Sequence, residues 1–146
     1  MAGATIAVAS DHAGFDLKEI LKRDLQEAGL EVLDLGTHSN ASVDYPDFGR
    51  AMAETIAAGK VEKGVIVCGT GIGISIAANR NPKVRAALVH DVTSARLTRE
   101  HNDANVIAFG GRLIGTEVAR EALKVFLTTP FEGGRHANRV AKLAKG

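Results

Sequence analysis

The sequence predicts an α/β fold, a single-domain three-layer α/β/α sandwich built on a five-stranded parallel sheet. Short apolar runs alternate along the chain with amphipathic stretches of helical period, which is typical of strands connected by helices. These apolar runs are nearly continuous, as expected for strands that helices cover on both faces. The 146 residues suffice for one substantial core and contain no repeat, linker or low-complexity segment. We therefore expect one domain.

The first half of the chain predicts three strands, at Thr5–Ser10, Glu31–Leu35 and Val65–Cys68. The helix between the first two carries apolar residues at helical spacing and stops at Gly29, a residue typical of helix C-termini. A second helix is expected from Pro46, which is tolerated in a first turn, to about Gly59.

The second half predicts two more strands, Arg85–His90 and Asn105–Phe109. A third helix, Ser75–Asn79, ends before Pro82, and a fourth is expected from Asp91 to about His101. Apolar positions from Val118 to Phe126 indicate a fifth helix that stops near Pro130. A last helix is expected over His136–Lys145.

Composition excludes several classes of function. Lys+Arg 18 against Asp+Glu 17 gives a net charge of +1, and aromatic residues are 4% of the chain, so neither charge nor stacking favours nucleic acid. The single Cys rules out an internal disulfide and suits a reducing cytosol. The N-terminus lacks the basic start of a signal peptide, and no apolar run is long enough to span a membrane. We expect a cytoplasmic protein with no nucleic-acid or membrane partner.

The strongest motif is the strand-end Cys68 followed by the loop Gly69-Thr70-Gly71-Ile72-Gly73 and a helix. Backbone N–H groups and the positive end of a helix at such a loop favour negative charge. A thiol placed there is stabilised as thiolate and can act as a nucleophile or as a base. A lone Cys that closes an apolar strand is also commonly a small buried hydrophobe.

The same loop is partly similar to a dinucleotide-binding fingerprint in a Rossmann-like sheet, with Asp91 as the ribose-binding acid. The pattern started at Gly69 requires glycine at its sixth position, where the sequence has Ile74. A nicotinamide cofactor is therefore disfavoured. A nucleotide-binding module stays open, and stabilisation by nucleotides but not by pentose phosphates would favour it.

Other polar residues cluster at strand ends and near the C-terminus. Arg135 and Arg139 are four residues apart on one helix face, and guanidinium groups suit phosphate oxygens. Together with His12 and Arg112, these two arginines favour a binding site for a sugar or nucleotide phosphate, although a solvated basic surface is an alternative. His101 can shuttle protons near neutral pH or simply end its helix. No spacing of His and carboxylates requires a metal, and no G-x-S-x-G elbow indicates a serine hydrolase.

Five motifs in order, spanning nearly the whole chain, resemble those of ribose-5-phosphate isomerase type B and its allose and galactose phosphate relatives. They are Ser10-Asp-His-Ala-Gly14, Asp44-Tyr-Pro46, Cys68 to Asn79, His101-Asn-Asp103, and Glu132-Gly-Gly-Arg-His136 with Arg139. The resemblance implies a single sugar-phosphate isomerase domain over residues 1–146. It also implies a cofactor-free and metal-free aldose–ketose interconversion through a cis-enediolate.

The resemblance also implies roles for residues. Cys68 as thiolate moves the proton between C2 and C1, and His101, with Asp11, opens the furanose ring. Thr70 and the amides of the glycine loop stabilise the enediolate oxygen. The residues expected to contact substrate are Asp11, His12, Tyr45, Gly69, Thr70, Gly71, Ile72, Gly73, Asn102, Arg112, Arg135 and Arg139, with the histidine at 12 and the three arginines on the phosphate.

The family is dimeric or tetrameric with sites between subunits, so His101 and Arg112 are candidates to serve a neighbour's Cys68. One branch has a Glu base at the position of Ser75 and lacks the strand-end Cys, and this sequence resembles the cysteine branch. The expected reaction interconverts ribose 5-phosphate and ribulose 5-phosphate in the pentose phosphate pathway. Allose 6-phosphate or another hexose phosphate is the alternative substrate. A further hypothesis is that the chain is one subunit of a hetero-oligomeric isomerase.

Overall fold

The computed structural model describes residues 3–145, which form five strands and six helices. The strands are β1 Thr5–Ser10, β2 Glu31–Asp34, β3 Lys63–Cys68, β4 Ala86–Leu88 and β5 Val106–Gly110. The helices are α1 Phe15–Glu27, α2 Tyr45–Ala57, α3 Ile72–Ala78, α4 Val92–Asn102, α5 Thr116–Thr128 and α6 Arg135–Leu143. No helix within residues 3–145 is both long and apolar enough to cross a membrane.

All strand pairs of the sheet are parallel, in the order β2-β1-β3-β5-β4. In this register Ser10 of β1 lies beside Val67 of β3, and Cys68 lies beside Gly110 of β5. The loops that follow these three central strands therefore begin at the same level of the sheet. Ligands of parallel sheets bind at this carboxyl edge.

Strand alternation divides the core into two layers. Val65 and Val67 of β3 point into the larger cluster, which includes buried residues of α1, α4 and α5. Ile66 and Cys68 point to the other face, where α2 and α3 cover the sheet. The predicted single-domain α/β/α sandwich with five parallel strands is confirmed, and α6 packs outside it against α4.

Several element ends differ from the prediction. Helix α3 begins at Ile72 rather than Ser75, because Gly71 takes a left-handed conformation (φ 78°) that starts the helix three residues early. Strand β4 is shorter than Arg85–His90, since it lies at the edge of the sheet beside β5. Helix α4 ends at Asn102, one residue after the predicted His101, and Asp103 (φ 48°) is its C-cap. The remaining ends agree within two residues.

Candidate active site

Cys68 lies at the carboxyl end of β3, with 4% of its surface exposed. The Gly71 N–H donates to its Sγ at 3.2 Å, a contact that favours negative charge on sulfur. Residue 71 must be glycine, because its φ is 78° and a Cβ there would lie 2.5 Å from Leu88 Cδ1 and 2.8 Å from the Phe109 carbonyl carbon. The loop thus holds the thiol beside a backbone donor at the start of α3.

The rest of this loop is exposed on its outer side. The Thr70 Oγ1 accepts the Ile72 N–H at 3.2 Å, which fixes the threonine side chain over the first turn of α3. The ring of Tyr45 covers Gly73 so closely that a Cβ at this position would overlap it. Tyr45 is 42% exposed, so its ring forms one wall of a site open to solvent beside the loop.

Two neighbouring loops interlock with the cysteine loop. The Asp11 N–H donates to the Val67 carbonyl at 3.2 Å, and the Arg112 N–H donates to the Gly69 carbonyl at 3.0 Å. The Arg112 side chain lies over the same glycine, since a Cβ at Gly69 would be 3.4 Å from Nη1. The structure therefore sets the Arg112 side chain beside Gly69 of its own chain, and the prediction that Arg112 serves a neighbouring chain stays a prediction.

Asp11 and His12 follow β1 at the same edge. Asp11 is buried, and its Oδ1 accepts the Gly14 N–H at 3.0 Å, which stabilises the turn into α1. His12 is half-buried, and its Nδ1 accepts the Val43 N–H at 3.1 Å. A neutral His12 with Nδ1 as acceptor carries its proton on Nε2, where it can donate to a substrate oxygen.

Lys18 is a feature that sequence reasoning missed. Its side chain is fully buried, and its Nζ lies 2.7 Å from Asp34 Oδ1 and 2.7 Å from the Thr37 carbonyl. Burial raises the pKa of the Asp34 carboxyl, but hydrogen bonds from Lys18, the Gly36 N–H and Lys22 outweigh it, and the net pKa lies below the usual 3.8. The pair anchors the start of the loop that reaches His12. The sequence signal that could have indicated a buried lysine is its position three residues before Leu21, on the apolar face of α1.

A second group of predicted site residues lies elsewhere. Helix α4 starts just after β4, at the carboxyl edge, and ends at Asn102 just before β5, at the amino edge. An eleven-residue helix rises about 16 Å, so His101 and Asn102 lie roughly that far from the level of Cys68. A pentose bound at Cys68 cannot also touch His101 of the same chain. The prediction that His101 serves a neighbouring chain is consistent with this separation.

Helix α6 completes the second group. The rings of His101 and His136 are stacked, with centroids 4.5 Å apart and planes 16° apart. His101, Asn102, His136 and Arg139 share a cavity of about 270 Å³, while Arg135 begins the helix. We call these residues the amino-edge group, and Asp11, His12, Tyr45, Cys68, the loop 69–73 and Arg112 the carboxyl-edge group.

The amino-edge group also contains potential metal ligands. Nitrogen or oxygen atoms of His101, Glu132 and His136 lie within 4.8 Å of one another. A metal ion lies in the plane of each imidazole that binds it, and one ion cannot occupy two stacked, nearly parallel planes. The stack is therefore unsuited to chelation unless one ring turns, and freedom from metal stays a prediction.

An apolar surface borders the carboxyl-edge group. Ile72 and Ile76 of α3 are 50% and 57% exposed, and Tyr45 lies beside them. A cavity of about 580 Å³ along this surface is lined by Tyr45, Ile76, Arg80 and residues of α2. Exposed large apolar side chains grouped in this way mark interaction sites.

The fold and this edge define a class, an α/β enzyme with a thiol at a glycine loop and separate basic side chains. The chain belongs to the ribose/galactose isomerase family, whose model matches residues 6–143. It is 46% identical to ribose-5-phosphate isomerase B of Escherichia coli over 135 residues, 92% of this chain and 91% of that protein.

Other relatives agree. The chain is 41% identical to a D-erythrulose-4-phosphate isomerase of Pectobacterium atrosepticum over 140 residues, 95% of this chain and 92% of that protein. A crystal structure of a ribose 5-phosphate isomerase from Thermotoga maritima superposes with a TM-score of 0.96 at 48% identity, covering 98% of this chain and 99% of that one. The family expected from the motifs is confirmed.

Proposed function

We propose that this chain interconverts ribose 5-phosphate and ribulose 5-phosphate through a cis-enediolate, with Cys68 as the base. The observation that carries the proposal is the buried Cys68 Sγ, held 3.2 Å from the Gly71 N–H at the ligand-binding edge of the sheet. The 46% identity to a ribose-5-phosphate isomerase B supports the substrate class. The step belongs to the pentose phosphate pathway.

The proton transfer needs both a base and a partner for the developing charge. Cys68 removes the proton from C2 of the open aldose and returns it to C1. The oxygen at C1 becomes anionic and takes up a proton, while the C2 hydroxyl gives up its proton as C2 becomes the carbonyl carbon. A positioned base contributes roughly 10²–10⁴-fold to the rate. An oxyanion donor contributes roughly 10²–10³-fold, and the amides of residues 69–73 with Thr70 are placed to act in this way.

Binding energy comes from the far end of the substrate. Arginine side chains hold phosphate oxygens through charge-assisted hydrogen bonds. Arg112 and His12 of one chain lie near Cys68, whereas Arg135 and Arg139 lie in the amino-edge group. Fixing the phosphate away from C1 and C2 lets this energy orient the reacting carbons.

The active unit is a homodimer, or a dimer of dimers, with each site shared between chains. His101 and Asn102 lie about 16 Å along α4 from the level of Cys68, so a site with both groups requires two chains. The exposed Ile72, Ile76 and Tyr45 provide an apolar surface beside the cysteine loop for the second copy. This arrangement delivers the partner's ring-opening histidine to the thiol.

The preferred sugar is a pentose phosphate, with allose 6-phosphate as the hexose alternative. A tetrose phosphate is a further candidate, because a relative 41% identical to this chain is named for D-erythrulose 4-phosphate. Tyr45 and the loop of residues 37–43 border the sugar, and the distance between them sets the length of sugar that the site accepts. We place the enzyme in the cytoplasm and expect it to need no metal or cofactor.

A coupled assay of purified protein with ribose 5-phosphate, allose 6-phosphate and erythrose 4-phosphate tests the substrate. Activity without any partner chain contradicts the hetero-oligomeric reading, and chelators should have no effect. The Cys68→Ala variant should lose turnover by at least about 10²-fold while substrate affinity stays within a few-fold. If the alanine variant keeps most of its activity, Cys68 is not the base.

A further inference from the structure

Helix α6 touches the rest of the chain through one buried residue. Among the residues that α6 contributes, His136 is the buried one, 6% exposed, whereas its neighbours on either side are exposed. Its ring stacks on that of His101 at 4.5 Å, and its Nε2 lies 3.5 Å from a carboxylate oxygen of Glu132. A small polar helix docked in this way depends on the stack for its placement.

The segment before α6 is tied to the same part of α4. Arg99 is buried, its Nε donates to the Thr129 carbonyl at 3.1 Å, and its Nη1 donates to Asp103 Oδ1 at 2.8 Å. The Glu132 N–H donates to the Glu100 carbonyl at 3.1 Å. Residues 129–136 are thus fixed along α4 on the turns that flank His101.

We propose that His136 is the positioning residue for His101, and that the stack couples ring opening to phosphate binding. His136 holds the His101 imidazole at one angle and holds the helix that carries Arg139 against it. A displaced imidazole is poorly aligned for proton exchange with the ring oxygen of the furanose. Misplacement by about 1 Å can cost 10²-fold in rate. This inference rests on the proposed function of His101.

Ring opening and carbon proton transfer can be measured separately. Ribulose 5-phosphate cannot close to a furanose, because the oxygen at C5 carries the phosphate. In D₂O the base removes a proton from C1 and deuterium returns to C1, which requires Cys68 but no ring chemistry. Deuterium exchange into ribulose 5-phosphate, followed by NMR, therefore reports the base alone.

The test compares three variants of the full-length protein. His136→Ala should lower isomerisation of ribose 5-phosphate by about 10–100-fold and change deuterium exchange much less. His136→Phe keeps an aromatic ring against His101 and should lose much less isomerisation. Val140→Ala, on the same helix and cavity, loosens packing without touching the stack, so it should change the two rates by the same factor.

Equal losses of isomerisation and exchange in His136→Ala overturn the proposal, as does a His136→Phe variant as poor as the alanine one. An NMR readout is independent of activity, because a stacked ring shifts the His101 C–H resonances. These resonances should move in His136→Ala and stay in Val140→Ala, and unchanged resonances in both refute the stack. A wild-type protein that shows the ring shift but no isomerisation refutes the proposed function and leaves the stack intact.

Discussion

The two edges of the sheet carry the two groups of site residues, and they are built by different means. At the carboxyl edge backbone groups dominate, since loops after β1, β3 and β5 hydrogen-bond to one another and surround Cys68. At the amino edge side chains dominate, with His101 and His136 stacked at helix ends and arginines exposed on α6. The first edge suits a fixed reaction centre, and in the dimer that we propose the second edge covers the substrate of the other chain.

The difference teaches how one small domain can supply a complete site. A parallel sheet offers its strand ends on one side and its helix C-termini on the other. In the dimer that we propose, residues from both sides meet where two copies face each other. Each chain of that dimer uses one edge as the reaction centre and lends the other edge to its partner.

The largest expected effect comes from mixing two inactive variants, Cys68→Ala and His101→Asn. If sites are shared, each hybrid dimer contains one site with both residues intact. An equal mixture of subunits should then recover about a quarter of wild-type activity, since half of the dimers are hybrids with one intact site each. Differently tagged chains, co-expressed and assayed with ribose 5-phosphate, provide the measurement. Mixtures as inactive as either parent would place both residues in one chain's site.

The next effect separates the glycines of the cysteine loop. Gly71→Ala should lower kcat by about 10²-fold, because the new Cβ meets Leu88 and the Phe109 backbone and displaces the N–H that contacts Cys68. Stability should fall by about 1–3 kcal/mol through the strained φ. Gly69→Ala is the matched control, since its Cβ would meet the Arg112 side chain and Ala13 Cβ at 3.4 Å or more, which is ordinary van der Waals contact. Urea unfolding measures the stability of both variants, and a steady-state assay measures their kcat. Equal losses in Gly71→Ala and Gly69→Ala would show that the left-handed conformation of Gly71 has no special role.

Much of the carboxyl edge could be predicted from the sequence. The apolar strands and the glycine loop identify Cys68, and parallel strands necessarily bring their carboxyl ends together. The early start of α3 could not be foreseen, because it depends on the left-handed Gly71 packing under Leu88. Lys18 was missed because a lysine on an apolar helix face gives no sign of the Asp34 carboxylate and Thr37 carbonyl that neutralise it.

The amino edge was harder to predict. Spacing and charge indicated Arg135 and Arg139, and the resemblance added roles for His101 and Asn102. Neither shows that these residues lie at the opposite edge from Cys68. That separation follows only from the direction of α4 between two parallel strands. The stacking of His136 on His101 depends on how α6 returns to α4, a tertiary contact between residues 35 positions apart.

A smaller effect is expected for the phosphate grip of the amino edge. Arg139→Ala should raise KM by about 10–100-fold with little change in kcat, because a hydrogen bond to a charged group contributes about 1.5–3 kcal/mol. Lys142→Ala, an exposed charge on the same helix, is the control and should leave KM nearly unchanged. Inhibition by inorganic phosphate should weaken in parallel with KM. An unaltered KM in the arginine variant would assign the phosphate to the carboxyl edge alone.

The smallest effect concerns the ion pair behind the carboxyl edge. The pKa of the Asp34 carboxyl is held below 3.8, so its stabilisation is complete above pH 3.8 and is lost as pH falls through the folded-state value. Lys22→Ala removes one of its hydrogen bonds, which should cost about 0.5–1 kcal/mol near neutral pH. The difference from wild type should vanish once Asp34 is protonated, and Arg23→Ala on the same helix should show no such pH dependence. Urea unfolding between pH 2.5 and 7 measures this, and a cost that persists at the lowest pH would show that Lys22 acts through packing rather than charge.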